Sequence, residues 1–168
     1  IELLHSPSEE DIALVTKAYN FAEKAHEGQK RMTGDPYFVH VFETGKNLAI
    51  FGMDAQTVAT GFLHDTLEDA GIPMETLKKE FGKEILFLVE GVTKLGKLKY
   101  RGLERHVESL RKLFFATAQD VRVLIIKLAD RLHNVRTLEG HTRADKQKRI
   151  ALETLEIYAP LANRLGMW

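Results

Sequence analysis

One pattern recurs along most of this 168-residue chain: a residue that can cap a helix, apolar residues three or four positions apart, and a glycine that ends the segment. Its first instance runs from Ser8 to Gly28, with acidic residues in the first turn, and its second runs from Asp35 and Pro36 to Gly52. Apolar residues at this spacing share one face of a helix, so the pattern predicts an all-α protein.

The pattern continues in six further segments. The apolar run VRVLII could also form a buried strand, but the segment that contains it is too long for a strand and predicts a helix. Pro160 should end or kink the last segment near Ala159. We therefore expect a single domain over residues 1–168 with about seven to nine helices. The further segments are MDAQTVATGFLHDTLEDAG, IPMETLKKEFG, KEILFLVEGVTKLG, LERHVESLRKLFFATAQ, DVRVLIIKLADRLHNVRTLEG and TRADKQKRIALETLEIYAPLANRLGMW.

The composition excludes several classes of protein. Lys plus Arg and Asp plus Glu both number 24, which argues against a general binder of nucleic acid or of anionic membranes. The absence of cysteine excludes disulfides, thiolate nucleophiles and sulfur-ligated zinc; it fits a reducing compartment, and we expect a cytoplasmic protein. The apolar runs are too short to span a bilayer. Because the chain begins at Ile1 rather than Met and ends at Trp168, just after an apolar stretch, we expect a fragment of a longer protein.

Charge is concentrated in HDTLED, His64 to Asp69, which lies in a predicted helix with apolar flanks. Residues four apart share a helical face, so His64 should lie over Glu68, and Asp65 over Asp69. An unpaired carboxylate in a low-dielectric core is costly and tends to protonate. Such a cluster therefore either faces solvent or carries out chemistry.

Two other predicted core helices carry polar residues in an apolar frame. KLADRLHNVRTLEG places Asp130, Asn134 and Thr137 on one stripe, and His40 lies inside YFVHVF. A divalent metal would provide a partner for the polar groups of all three helices. The candidate ligands form a set of two imidazoles and two carboxylates that suits manganese, iron or zinc, and they supply one complete site per chain: His40, His64, Asp65 and Asp130. Glu68 and Asp69 would then handle the protons of a water at the metal.

The same residues have simpler interpretations. A half-buried histidine is more often a hydrogen-bonded core residue than a ligand, and the charged face of HDTLED could be solvated. Asp130 could form an ion pair with Arg131 or Arg136. The basic segment GKLKYRG, which we predict to be a mobile loop, could be a solvated surface. Because three separate core-like helices each carry a ligand-type residue, the metal interpretation stands level with these simpler ones, and both remain open at this point.

The spaced set of His40, His64-Asp65 and Asp130 resembles the HD phosphohydrolase superfamily. Five surrounding segments are together similar to the N-terminal hydrolase domain of the RelA/SpoT homologue family of long bifunctional alarmone enzymes. These segments are AHEGQKRMTGDPYFVH, HDTLEDAGI, FGKEILFLVEGVTKL, IIKLADRLHNVRTL and ALETLEIYAPLANRLGMW. The resemblance implies an all-α HD domain that hydrolyses the 3′-pyrophosphate of ppGpp and pppGpp, with manganese as cofactor and no DNA or membrane partner. It also implies that the synthetase and regulatory domains of a longer protein are missing from this chain.

The resemblance implies a role for each site residue. His40, His64, Asp65 and Asp130 would hold one Mn²⁺, while Glu68 and Asp69 would activate the attacking water. Arg31 would pack against the guanine. Thr33, Asn134 and Thr137 would line the nucleotide pocket. Apart from the resemblance, the charge of the basic loop suggests that it closes over the polyphosphate through Lys97, Lys99 and Arg101.

Two residues depart from the family pattern, and two alternative functions remain open. Met32 stands where hydrolase-competent members usually have a basic residue, and Val41 where proline is common; we expect Asp35 to cap that helix in either case. The chain could be another HD nucleotide phosphohydrolase, but a dinuclear enzyme needs extra core histidines, and none of the other candidates repeats the setting of His40: His26, His133 and His141. It could also be a regulatory module that binds nucleotide without turnover, for which Glu68 and Asp69 would be superfluous.

Overall fold

The structure is a computed structural model that describes residues 1–96 and 119–167. Seven α-helices lie in these ranges, joined by a 3₁₀ turn at Leu138–Gly140 and a π turn at Thr154–Tyr158. The described ranges contain no β-strand, only an isolated bridge between Lys30 and Pro36. The prediction of an all-α fold is therefore confirmed. The helices are α1 (Glu9–Ala25), α2 (Tyr37–Ile50), α3 (Ala55–Leu63), α4 (Met74–Gly96), α5 (Val121–Arg136), α6 (Ala144–Glu153) and α7 (Ala159–Arg164).

The ends of the first helices follow the predicted caps with one exception. Ser8 accepts a hydrogen bond from the Asp11 amide while the Asp11 carboxylate accepts from the Ser8 amide, a reciprocal capping box at the start of α1. Asp54 caps α3 in the predicted way. Asp35, however, does not cap α2. Pro36 occupies the cap position without a side-chain hydrogen bond, so the prediction for Asp35 was wrong.

The helix α3 ends earlier than the sequence predicted. It stops at Leu63 rather than at Gly71, and residues 64–69 form successive turns. The reason is local: the amide and the hydroxyl of Thr66 both donate to the Leu63 carbonyl, at 3.0 and 2.6 Å, and this tightens the last turn. The HDTLED segment is therefore a turn that follows the end of α3, and it does not form one face of a helix.

The later helices largely follow the predicted segments. Gly82 has φ of 82°, which breaks α4 between the two segments predicted around it. The run VRVLII is helical within α5, as its length predicted. The helix α7 begins at Ala159, directly after the π turn, and has Pro160 in its first turn, so the last segment is interrupted near the predicted position but continues. The predicted helix around residues 103–118 lies outside the described residues.

The helix α3 lies at the centre of the domain, between α1 and α2, and α5 packs across α2. At the crossing of α2 and α3, the two helices approach so closely that a Cβ on Gly61 would lie 3.0 Å from the Cα of Gly45. The core around this crossing contains the fully buried Leu48 and Leu63. This close packing brings the N-terminal part of α2 beside the C-terminal end of α3. None of the helices in the described ranges is long and apolar enough to cross a membrane.

Candidate metal centre

Four predicted ligands converge where α2, the turn after α3, and α5 meet. His40 is in the second turn of α2, His64 is the residue that ends α3, and Asp130 is in the third turn of α5. These three residues are only 2%, 1% and 4% exposed, respectively. Asp65 follows His64 and is half-buried. The apolar frame predicted from the sequence is thus present around all three helix-borne residues.

The ligand-type atoms of these residues lie close together. Nε2 of His40 is 3.4 Å from Oδ2 of Asp65 and 3.3 Å from Oδ1 of Asp130. Nε2 of His64 is 3.2 Å from Oδ1 of Asp65. One atom each of His40, His64 and Asp65 forms a group within 4.8 Å of one another, a separation that a single metal ion could bridge. Asp130 lies outside this group of three but contacts it through His40.

His64 is oriented as a metal-ligating histidine would be. Its Nδ1 lies 2.8 Å from the carbonyl oxygen of Gly61, which can only accept a hydrogen, so Nδ1 carries the proton in the neutral ring. The lone pair of Nε2 then points into the cluster. Within the ranges that the structure describes, this buried nitrogen has no hydrogen-bond partner, despite its proximity to Asp65. A buried nitrogen without a partner, among carboxylates, fits a position where a cation binds.

Asp130 is held by partners other than the predicted ones. Lys127 donates to its Oδ2 at 2.6 Å, and the Asn134 side-chain amide donates to its Oδ1 in a short hydrogen bond. Arg131 pairs with Glu153 instead, and Arg136 donates to Asn47, so the alternative ion pairs of Asp130 are absent among the described contacts. Lys127 lies one turn before Asp130 on α5 and was not singled out from the sequence.

The cluster carries an excess of negative charge. Burial lowers the pKa of His64, but the carboxylates of Asp65 and Asp130 outweigh burial and raise that pKa to about 9. Burial likewise opposes ionisation of the two aspartates, yet the neighbouring histidines, together with Lys127 at Asp130, hold the pKa of both carboxyls well below the usual range. A site that attracts a proton onto His64 so strongly also attracts a divalent cation, which would replace that proton. The residues present therefore fit a metal bound by nitrogen and oxygen.

The two predicted proton-handling acids follow the proposed ligand Asp65 closely in the chain. Glu68 and Asp69 are both exposed, on the turn that follows Asp65. Asp69 is held by a residue that sequence reasoning missed: the hydroxyl of Tyr37 lies 2.7 Å from Oδ2 of Asp69 and 2.8 Å from Oδ2 of Asp65. Tyr37 precedes His40 by three positions on α2, and that spacing could have identified it.

The predicted nucleotide-binding residues lie beside the cluster. Nη2 of Arg31 donates to the Asn134 side-chain oxygen at 2.6 Å, and Nη1 lies 3.4 Å from Oγ1 of Thr137 and 3.3 Å from Nδ1 of His40. Arg31 thus connects the loop after α1 to the polar stripe of α5. Thr33 is exposed on the same loop and packs against Gly140, where a Cβ would lie only 2.2 Å from its methyl group. The predicted basic residues lie outside the described residues: Lys97, Lys99 and Arg101.

Two of the other histidines, His26 and His133, are also buried. His26 follows the last residue of α1, whereas His133 lies within α5. We expected no further histidine in the setting of His40, and this was wrong for His133, which is buried on α5 with its ring 5.1 Å from that of His40. Burial, aided by the charges of His40 and Arg31, lowers the pKa of His133 to about 4. Nevertheless, the group of clustered ligand atoms in the described residues does not include His133, so the structure there offers one metal site rather than two.

Comparison with known proteins agrees with this geometry. The family model described as HD domain matches residues 18–168. The chain belongs to the HD domain family. It is also similar to the guanosine-3′,5′-bis(diphosphate) 3′-pyrophosphohydrolase of Aquifex aeolicus, with 51% identity over 92% of this chain and 22% of that protein. The bifunctional (p)ppGpp synthase/hydrolase SpoT of Escherichia coli is 48% identical over 95% of this chain and 23% of that protein.

These relatives confirm the resemblance to the RelA/SpoT family, although the HD-type chain spans less than a quarter of their length. A solved structure supports the fold: a metazoan orthologue of SpoT, described as hydrolysing ppGpp and acting in starvation responses, matches with a TM-score of 0.66. That match covers 98% of this chain and 99% of the other, at 22% identity, and shows that the two chains share a fold.

Proposed function

We propose that this HD domain hydrolyses the 3′-pyrophosphate of ppGpp and pppGpp, in a metal-dependent reaction that yields GDP or GTP and pyrophosphate. The observation that carries the proposal is the buried Nε2 of His64, which has no hydrogen-bond partner among the described residues and lies 3.2 Å from Oδ1 of Asp65 in the HD motif. The choice of substrate is supported by the activities named for the relatives from Aquifex aeolicus and Escherichia coli. The compartment that contains these nucleotides is the cytoplasm, where we expect the protein to act.

The metal in this proposal is one Mn²⁺ per chain. It would be held by the four residues His40, His64, Asp65 and Asp130, whose mixed nitrogen and oxygen donors suit a borderline divalent ion. When bound, such an ion makes a water more acidic and offsets the negative charge of the phosphates. Elemental analysis of the purified protein should find close to one metal per chain, and a ratio near two would contradict the single site.

The reaction requires a base for water and a proton for the leaving oxygen. The water oxygen forms a bond to the phosphorus attached to the 3′ oxygen, the bond between that phosphorus and the 3′ oxygen breaks, and the 3′ oxygen takes up a proton. Glu68 and Asp69 are assigned to these proton transfers, because both are carboxylates at the edge of the cluster. Their exposure lets them exchange protons with solvent between turnovers.

The nucleotide would bind along the stripe formed by Arg31 and α5. The planar guanidinium of Arg31 can stack on guanine, and its hydrogen bond to Asn134 orients that plane. Thr33, Asn134 and Thr137 are assigned to the sugar and phosphates, which their polar groups can reach with hydrogen bonds. Met32 is exposed beside Arg31 and removes a positive charge that other members supply, so we expect weaker binding of the substrate than in those members.

The deciding experiment is a pyrophosphate-release assay with ppGpp, in the presence and absence of Mn²⁺. We expect release only with the metal. GTP and GDP should be poor substrates, since they lack a 3′-pyrophosphate and place no phosphorus beside the attacking water. Similar turnover of GTP and ppGpp would indicate a general nucleotide phosphohydrolase, and tight binding of ppGpp without turnover would indicate a regulatory binding module.

The basic loop is assigned to the polyphosphate on its charge alone, since it lies outside the described residues. Replacing its three cations by glutamine should raise KM for ppGpp, most strongly at low ionic strength, because exposed charges are then least screened. The matched control replaces three exposed lysines of α4, Lys78, Lys79 and Lys83, and should leave KM unchanged. Equal KM values in the two triple variants would indicate that the loop is a solvated surface without a role in substrate binding. The loop variant carries changes at Lys97, Lys99 and Arg101.

The chain spans less than a quarter of the length of the relatives from Aquifex aeolicus and Escherichia coli. We propose that the full-length protein carries a synthetase domain and regulatory domains beyond this one, as the name of the Escherichia coli relative implies for that protein. Expression of the complete chain, followed by an assay for pppGpp synthesis from GTP and ATP, tests this expectation. Absence of synthesis together with intact hydrolysis would limit the protein to degradation.

A further inference from the structure

Tyr37 connects two carboxylates that have different assigned tasks. Its hydroxyl oxygen lies 2.8 Å from Oδ2 of Asp65, a proposed metal ligand, and 2.7 Å from Oδ2 of Asp69, a proposed proton carrier. A phenol has one hydrogen to donate, so the two carboxylates share a single donor. Both oxygens lie within hydrogen-bond distance of the hydroxyl, so its one hydrogen can be donated to either carboxylate. The hydroxyl of Tyr37 thus connects the Asp69 carboxylate directly to a proposed metal ligand.

The ring of Tyr37 has little freedom to move. It stacks on the buried His26 at 4.8 Å with an angle of 14° between the planes, and its edge meets the ring of His40 at 5.8 Å. Tyr37 is also the first residue of α2, and its amide donates to the Gln29 carbonyl at 2.9 Å. The hydroxyl is therefore presented to the two carboxylates from a fixed direction.

A second contact holds Asp69 from its backbone. The side-chain amide of Gln29 donates to the carbonyl oxygen of Asp69 at 3.0 Å, and Oε1 of Gln29 lies 2.8 Å from Nδ1 of His26. Asp69 lies on an exposed turn, where a free side chain would sample several rotamers. Gln29 and Tyr37 together restrict both its backbone and its carboxylate. The turn after α1 and the first residue of α2 thus act as one support.

We propose that Tyr37 is a positioning residue, which holds the Asp69 carboxylate in place for proton transfer and orients Asp65 toward the metal. The inference rests on the proposed hydrolase function and adds a residue to its machinery. In this role Tyr37 acts through the two aspartates that its hydroxyl contacts. Groups that orient metal ligands in this way typically change metal affinity or activity by about 10- to 100-fold when they are removed.

The test compares Tyr37→Phe with Tyr19→Phe. Each variant loses one phenolic hydroxyl; Tyr19 packs among Phe38, Phe42 and Phe62, away from the cluster. With ppGpp and saturating Mn²⁺, Tyr37→Phe should lower kcat by about 10-fold or more with KM changed less than about two-fold. Tyr19→Phe should keep both constants. A loss of kcat in both variants, or in neither, would overturn the proposal.

A coupling measurement separates positioning from general damage. In an Asp69→Asn background, Tyr37→Phe should lower kcat by less than about two-fold further, because the carboxylate that it positions is already gone. A full additional loss in that background, at saturating Mn²⁺, would contradict the proposal that Tyr37 acts on turnover through Asp69. Gln29→Ala provides a second variant that leaves the ring of Tyr37 in place. It should lower kcat without changing Mn²⁺ affinity, and an unchanged kcat would contradict the inference that Gln29 holds Asp69.

Metal binding provides a readout that does not depend on turnover. Calorimetry with Mn²⁺ alone should show affinity about 10-fold weaker in Tyr37→Phe than in Tyr19→Phe, since Asp65 loses its orienting donor. Equal affinities would contradict the proposal that Tyr37 orients Asp65 toward the metal. If the unaltered protein binds Mn²⁺ but does not release pyrophosphate from ppGpp, the proposed function fails, while the calorimetric comparison still decides whether Tyr37 orients the metal ligand.

Discussion

Replacing Gly61 with alanine should disturb the metal centre from within the core. Gly61 lies on α3 where it crosses α2, and a Cβ at this position would lie 2.5 Å from Cδ1 of Leu48. It would also lie 3.0 Å from the Cα and 3.2 Å from the backbone nitrogen of Gly45. The leucine could change rotamer, but backbone atoms of a packed helix cannot move alone. The two helices must therefore separate.

The expected loss of stability follows from two opposing effects. Forcing an extra methyl group into a packed core costs about 1–3 kcal/mol, and contact with backbone puts this site at the upper end. Alanine is the better helix former by about 1 kcal/mol, which leaves a net loss of about 2 kcal/mol in the free energy of unfolding. In a domain of this size, that corresponds to a fall in Tm of about 4–8 °C.

The functional consequence arises because the crossing lies between two proposed ligands. His40 and His64 have ring centroids 5.3 Å apart, and Nδ1 of His64 donates to the carbonyl of Gly61 itself. Separation of the helices should weaken Mn²⁺ binding by about 10-fold, as for other changes that misalign ligands.

Urea denaturation and Mn²⁺ calorimetry on Gly61→Ala and Gly91→Ala test this reasoning. A Cβ on Gly91 of α4 would meet only side-chain atoms of Val123, the nearest at 2.8 Å, at the crossing of α4 with α5. That variant should lose stability by overpacking but should keep the separation of His40 and His64 and the affinity for Mn²⁺. The argument is refuted if Gly61→Ala is as stable as the unaltered protein and binds Mn²⁺ equally well.

The remaining predictions concern ligands, acids and a helix cap. Asp130→Ala should abolish both Mn²⁺ binding and hydrolysis, whereas Glu68→Gln with Asp69→Asn should keep the metal and lose most turnover; parent-rate hydrolysis in the double variant would contradict the acid/base assignment. Asp120→Ala should lower the free energy of unfolding by about 1 kcal/mol at pH 7, because Asp120 caps α5. Hydrogen bonds from the Arg122 side chain lower the Asp120 pKa, so this contribution is complete above the unfolded value of 3.8 and is lost as pH falls below it. Urea titrations at pH 7 and pH 3 should therefore show a smaller difference between Asp120→Ala and the parent at the lower pH.

Most helices could be predicted because their signals are local. Ser8 and Asp54 cap helices through side chains that reach amides three residues away, and Gly82 breaks a helix through its own backbone. The predicted helix ends were wrong where a local contact, which the spacing of apolar residues does not reveal, set the actual end. Thr66 ended α3 eight residues before the predicted Gly71, and Pro36 rather than Asp35 preceded α2.

The sequence by itself determined the helical architecture, the residue types available for a metal, and the resemblance to HD enzymes, since all of these depend on period, composition and short motifs. Only the tertiary structure decided how those residues meet. Tyr37 and Asp69 are distant in the chain, as are Lys17 and Glu80, and no spacing rule relates either pair. The close crossing of α2 and α3 brings His40 beside His64, and burial there leaves His64 without a protein partner for Nε2 among the described residues. Long-range packing and exclusion of water produce these features, and neither property can be assigned to a single segment of sequence.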